Sequence, residues 1–175
     1  FGALFNQMTQ FSALGADQQN MLTEQAALLE KVGVANEDYA SSIEISTKML
    51  GMSVDAGAEA INEMTAMAKE MGVAPGKMIK DFAAAGPELA KFGDDGVEVF
   101  KDLAAAAKAT GIQTGRLLEI TGKFDTFDEA AKSVGGLNAV LGGDYLNSMD
   151  MITVTDPTER LRMMRDVPHG INATE

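Results

Sequence analysis

The chain has 175 residues, a net charge of −12 and 46% hydrophobic content, enough apolar side chain for one domain with a real core. Such acidity repels a phosphate backbone and no basic patch offsets it, so no specific nucleic acid is expected as a partner. The absence of cysteine excludes a disulfide frame, thiolate chemistry and a Cys-based metal site.

Apolar stretches are broken by Lys, Glu or Gly well before the roughly 18 residues that span a bilayer, so membrane contact is not expected. The start carries no basic stretch ahead of an apolar core, unlike a signal peptide. A first residue Phe1 and a polar last run, Ile171-Asn172-Ala173-Thr174-Glu175, lead us to expect a piece of a longer chain.

In chain order, Phe1, Leu4, Phe5, Met8 and Phe11 form a helical stripe that predicts a helix over 2–14, followed by one over 17–32. Gly33-Val34 then reads as a stop: glycine ends a helix in the left-handed conformation and the apolar residue after it packs back on the last turn. The same signal recurs at Gly51-Met52, Gly72-Val73 and Gly111-Ile112, and Gly93 after Lys91-Phe92 adds a fifth, so successive stops lie 18 or 21 residues apart. Starts agree with these stops. Asn36 precedes Glu37 and Asp38, which suit the positive end of a helix over 37–50. Ser53 is placed to cap a helix over 54–71, whose stripe is Val54, Ala58, Ile61, Met64, Ala68 and Met71.

Pro75 suits a first helical position, and the following stretch predicts helices over 75–85, 87–92 and 94–110. Thr114 is read as the cap of a helix over 114–123 with Leu117, Ile120, Thr121 and Phe124 on one face. Thr126-Phe127-Asp128-Glu129 is a capping box opening a helix over 126–141, striped by Phe127, Ala130, Ala131, Val134, Leu137, Asn138 and Leu141. The stretch 142–156 reads as a loop, since Met151-Ile152-Thr153-Val154 has no strand partner. Asp156-Pro157-Thr158-Glu159 opens a last helix over 157–167, and 168–175 is a tail or the start of a further segment. The expected fold is all-α: multiple short helices separated by Gly caps, in a compact bundle or an irregular helical array. The main helical domain covers 1–141.

Chemistry is sparse. His169, the single histidine, stands between Pro168 and Gly170 in the tail, so neither a zinc site nor a histidine-based triad is expected. Asp94-Asp95, Asp125 with Asp128-Glu129, and Asp144 with Asp150 have the chemistry to hold a hard cation but not the spacing of an EF-hand loop, and helix capping explains them. The doublets Gly135-Gly136 and Gly142-Gly143 follow helices instead of opening them, so they read as a close-contact point and a helix stop, not as a phosphate loop. No catalytic residue, metal or cofactor is expected. Met64, Met67, Met71 and Met78 are expected in the core. The adaptable side chains Tyr145, Met149, Met151, Ile152, Met163 and Met164 mark the expected partner-contact surface.

Several blocks in order carry a resemblance. Gly111-Ile112-Gln113-Thr114, the run from Lys123 to Ala131, and Val134-Gly135-Gly136-Leu137-Asn138 come first. The stretch from Leu141 to Met149 and Thr155-Asp156-Pro157-Thr158-Glu159-Arg160-Leu161-Arg162 follow. Over roughly 109–166 this pattern resembles the tape measure proteins of myovirus-like bacteriophage tails. The first hundred residues share only the style of Ala-rich short helices with Gly stops. The family's last helix would run on, whereas Pro168-His169-Gly170 breaks it here.

The resemblance implies a structural virion protein in the tail tube lumen that sets tail length during assembly and leaves before DNA ejection. Implied partners are the tail tube protein, the baseplate hub, tail assembly chaperones and other copies of itself, and no catalytic residue carries over. The alternative is a cellular helical-repeat module for protein–protein interaction. A third reading, an enzyme or metal-binding domain, would need carboxylates converging in a pocket.

Overall fold

A computed structural model describes residue 8 and residues 10–167, and every regular element among them is helical, so the fold is all-α. The expected stripe residues Phe1, Leu4 and Phe5 lie outside the described residues, as do His169 and the tail 168–175. A short 3-10 turn, Phe11–Ala13, stands where the first helix was expected to finish.

The helices are α1 (Ala16–Glu30), α2 (Asn36–Glu44, continued by a π turn Ile45–Met49), α3 (Val54–Glu70), α4 (Pro75–Leu89), α5 (Gly96–Thr110), α6 (Thr114–Gly122), α7 (Phe127–Leu141), α8 (Ser148–Thr153) and α9 (Pro157–Arg165). Starts expected at Ser53, Thr126 and Asp156 are built as read: each side chain accepts a hydrogen bond from a backbone N–H of the first turn, at 3.1, 3.4 and 2.8 Å. Thr114 is a correction. It lies inside α6 and is buried, and Gln113 precedes the helix without a side-chain cap.

The stops stand where the glycines are. Gly33, Gly51, Gly72, Gly93, Gly111 and Gly142 all have positive φ. At Gly33 and Gly72 the following valine closes the turn, with Val34 N–H donating to Leu29 O and Val73 N–H to Ala68 O. Ile112 departs from the expectation. It is 39% exposed, and its N–H donates to Thr110 Oγ1 instead.

Two further corrections concern element boundaries. Helices expected over 75–85 and 87–92 are one helix through Pro87, followed by a 3-10 turn Ala90–Asp95. Proline disfavours a helical residue before it through that residue's Cβ, and Gly86 has none. The stretch 142–156, expected to be a loop, contains α8, whose start is fixed by Asn147 Oδ1 accepting from Met149 N–H at 2.8 Å. An Asx cap at Asn147 outweighs the extended preference of Ile152, Thr153 and Val154.

The main core runs from Met8 and Phe11 to Leu117 and Leu118 and includes the expected stripe Ala58, Ile61, Met64 and Ala68. Phe82 and Phe100 meet edge to face with ring centres 5.2 Å apart. Inside this core a polar chain is fully satisfied: buried Tyr39 O–H donates to Gln25 Oε1 at 2.7 Å, and Gln25 Nε2 donates to Ala58 O at 2.7 Å. A second, smaller core gathers Phe124, Ala130, Val134, Leu146, Met151 and Val167 under α7, α8 and α9. Helix α9 joins the two, because Leu161 packs on the main core while Met163 and Met164 pack on the second.

What brings the first five helices together is glycine inside helices, a use distinct from the stops. A Cβ on Gly57 of α3 would lie 2.9 Å from Ser46 Cβ, one on Gly86 of α4 would lie 2.6 Å from Ile45 Cδ1, and one on Gly96 of α5 would lie 2.7 Å from Leu50 Cδ2. The π turn and the residue after it therefore seat in notches on three helices. Gly76 is tighter still: a Cβ there would lie 1.9 Å from Gly33 O, a backbone atom that has nowhere to go.

Two outcomes test this arrangement in urea denaturation. Gly76→Ala should lose on the order of 3 kcal/mol or more, since the clash is with backbone. Gly86→Ala should lose about 1–3 kcal/mol, and Ile45→Val in the same chain should recover part of it by removing the Cδ1 methyl.

Candidate partner-contact surface

Six side chains were expected to form one partner-contact surface, and the fold separates them. Tyr145 and Met149 are exposed, at 41% and 56%. Met151 is fully buried and belongs to the second core, which corrects its assignment to a surface. Ile152, Met163 and Met164 are half-buried against that core. The reason is local: once 148–153 is a helix, Met149 and Met151 lie on different faces, and only Met151 faces α7.

Tyr145 is held by the turn that follows α7. Asn138 Oδ1 accepts from the N–H groups of Tyr145 and Leu146 at 3.2 and 2.9 Å, and its Nδ2 donates to Leu146 O at 2.8 Å. The Tyr145 ring is folded over Gly143, where an added Cβ would lie 2.9 Å from Cε2. Exposed apolar residues collect at this end of α7: Val140 is 87% exposed and Leu141 36%.

The residue that builds this region is Arg160, 2% exposed and absent from the expected site. Its Nε donates to Met151 O and Val154 O at 3.0 and 2.6 Å. Its Nη1 donates to Thr121 O at 2.8 Å, and Nη2 to Phe124 O at 3.1 Å. These carbonyls lie at the C-terminal ends of α6 and α8, which, like α9, lack a positive-φ glycine among the described residues. One guanidinium thus donates to carbonyls at the ends of two helices, Thr121 O accepting from Phe124 N–H as well, and sits at the negative end of both. Lysine, with a single ammonium, cannot span that fork.

The charge is balanced by Asp125. Its Oδ1 accepts from Arg160 Nη1 at 2.5 Å and its Oδ2 from Lys91 Nζ at 2.6 Å. Burial alone would raise this carboxyl, but the hydrogen bonds and charges of Arg160 and Lys91 outweigh it and hold it below the ordinary carboxylate value. So the carboxylate once weighed as a cation ligand serves an ion pair. A sequence hint existed. The Asp156 cap fixes the start of α9, which places position 160 on the same stripe as Pro157, Leu161 and Met164, where an arginine is out of place.

Two open clefts flank this cluster. One, of about 590 Å³, lies between α4 and α6 and includes Asp81, Glu88, Leu118, Glu119 and Lys123. The other, of about 760 Å³, lies against α5 and includes Lys91, Phe92, Glu98, Asp102, Asp125 and Arg160, with both cations already committed to Asp125. Among the described residues, no three His, Cys, Asp or Glu side chains converge as a metal site would require, and no helix is long and apolar enough to cross a membrane.

No family model, curated protein or solved structure matches the chain. Its function is therefore read from the sequence pattern and this geometry.

Two measurements probe the cluster. Arg160→Met keeps the volume but removes the side-chain donor from the carbonyls of Met151, Val154 and Phe124 and leaves Asp125 with Lys91 alone, and should cost on the order of 3–5 kcal/mol; Arg160→Lys should recover little of it. Because the folded value of Asp125 is depressed, its stabilisation is present above the unfolded value near 4 and lost as pH falls through the folded value. Urea midpoints should therefore drop on acidification below about pH 4, and Asp125→Asn should flatten that slope.

Proposed function

We propose that the chain is a segment of a bacteriophage tail tape measure protein, a structural component of the virion with no catalytic role. The observation that carries this reading is where the resembling blocks fall in the fold. Lys123 to Ala131, Val134 to Asn138, Leu141 to Met149 and Thr155 to Arg162 supply most of α7, the start of α8, most of α9, and Phe124, Asp125 and Arg160 of the cluster, while Gly111 to Thr114 lies apart, between α5 and α6. Four of the five blocks that resemble the family thus fall around the second core.

Physical features are compatible with that role. A net charge of −12 limits adhesion to DNA moving through the same tube. Short helices joined at glycine stops are individually marginal, which suits a protein that has to rearrange to leave through a narrow channel. On this reading the chain resides in the tail tube lumen or at its baseplate end. The tail tube protein, the baseplate hub and assembly chaperones would be its partners.

A second reading is favoured by one observation. The exposed Val140, Leu141, Tyr145 and Met149 around the end of α7 suit a cellular module that binds another protein.

Mass spectrometry of purified virions separates the two, together with the position of the coding region. Peptides of this chain in tail particles, and tube and baseplate genes beside it, are the expected result. Their absence from tails removes the viral reading. The rearrangement idea is tested by single-molecule pulling. Stepwise unfolding at low force is expected, and one cooperative transition at high force would end it.

A further inference from the structure

The turn that joins α3 to α4 and the turn that joins α5 to α6 share a cleft of about 460 Å³, with Met71, Val73, Met78 and Ile112 in its lining. One buried polar side chain in it has no use inside the fold. Thr114, 5% exposed, occupies the first position of α6, and among the described residues no group hydrogen-bonds its Oγ1. The unpaired hydroxyls of Ser46, Thr65 and Thr158 are sealed from solvent. Thr114 instead lines this cleft and the neighbouring one between α4 and α6.

The backbone beside it is also short of acceptors. Helix α6 follows Gln113 with no side-chain cap, and its first bond runs from Leu117 N–H to Gln113 O. The N–H groups of Thr114, Gly115 and Arg116 are therefore left without an acceptor in the chain, at the positive end of the helix. The charged side chains in the lining are two lysines against one aspartate. Lys77 pairs with Asp81 at 2.5 Å, and Lys108 has no ion pair among the described residues.

We propose that this cleft binds a carboxylate carrying a short apolar group. Its oxygens accept from Thr114 Oγ1 and from the free N–H groups at the start of α6, with Lys108 nearby. A single negative charge is selected because only one lysine is uncompensated. A dianion would also feel Glu88, Glu119 and Glu129, which line the neighbouring cleft. Met71, Met78 and Ile112 supply the surface for the apolar group. A free carboxylic acid and the carboxyl end of a peptide share this chemistry. The inference goes beyond the structural role proposed above and does not depend on it.

Amide proton–nitrogen correlation spectra of the full chain test it, titrated with hexanoate and with N-acetyl-leucine. Saturable shifts at the N–H groups of Thr114, Gly115 and Arg116 are expected from at least one acid. The matching neutral amides, hexanamide and N-acetyl-leucinamide, should bind at least about tenfold more weakly, having lost the charge. Tighter binding of hexanoate assigns the site to a free acid, and tighter binding of N-acetyl-leucine to a peptide end. Thr114→Val keeps the shape and should raise the dissociation constant by about tenfold. It should leave the melting midpoint no lower, because the hydroxyl has no partner in the chain to lose. The proposal is overturned if neither acid gives saturable shifts there, if the amides or plain acetate bind as tightly, or if Thr114→Val binds unchanged.

Discussion

Helices of six to seventeen residues are marginal alone, and each leaves carbonyl groups unsatisfied at its C-terminal end. How those ends are satisfied governs the rest of this structure. Six glycines at positive φ turn the chain back on itself and close the ends locally. At α6 and α8 there is no such glycine, and the carbonyls wait for a donor from elsewhere in the chain. Arg160 supplies it from one turn into α9. Without that guanidinium, the last three helices would be held by Leu161 on the main core and by a small apolar core of Phe124, Ala130, Val134, Leu146, Met151 and Val167.

The same residue type serves two further ends here. Glycine at a helix end grants a backbone conformation, whereas glycine inside a helix removes a side chain so that another segment can approach. The π turn Ile45–Met49 depends on the second use, since Ile45, Ser46 and Leu50 each enter the space left by a missing Cβ on α4, α3 and α5. A widened turn projects these side chains differently from a regular helix, and the glycine notches are cut to that projection. Gly135 and Gly136 are also inside a helix, and nothing lies within 4 Å of a Cβ added at either.

The functional picture follows from the same economy of chemistry. Carboxylates near the clefts are drawn into pairs and caps: Asp125 with Arg160 and Lys91, Glu98 and Glu63 with Lys101, and Asp156 with the start of α9. Large apolar side chains are exposed at several places, among them Leu28, Met49, Phe127 and Val140. That arrangement is compatible with the tail component proposed above.

The sequence by itself determined the all-α class, the stops at Gly33, Gly51, Gly72, Gly93, Gly111 and Gly142, the caps at Ser53, Thr126 and Asp156, and the stripe through Ile61 and Met64. Each is a local matter, settled by the conformational range of one residue or by the 3.6-residue period of its neighbours. Only the tertiary structure decided that Gly86 meets Ile45 across the core, and that Met151 is buried while Met149 is not. It also decided that Arg160 closes two helices whose ends, Thr121 and Val154, lie 39 and 6 residues away in the chain. A hydrogen-bond donor shared between distant carbonyls leaves no period and no motif, so it becomes visible only when the chain has brought its acceptors together.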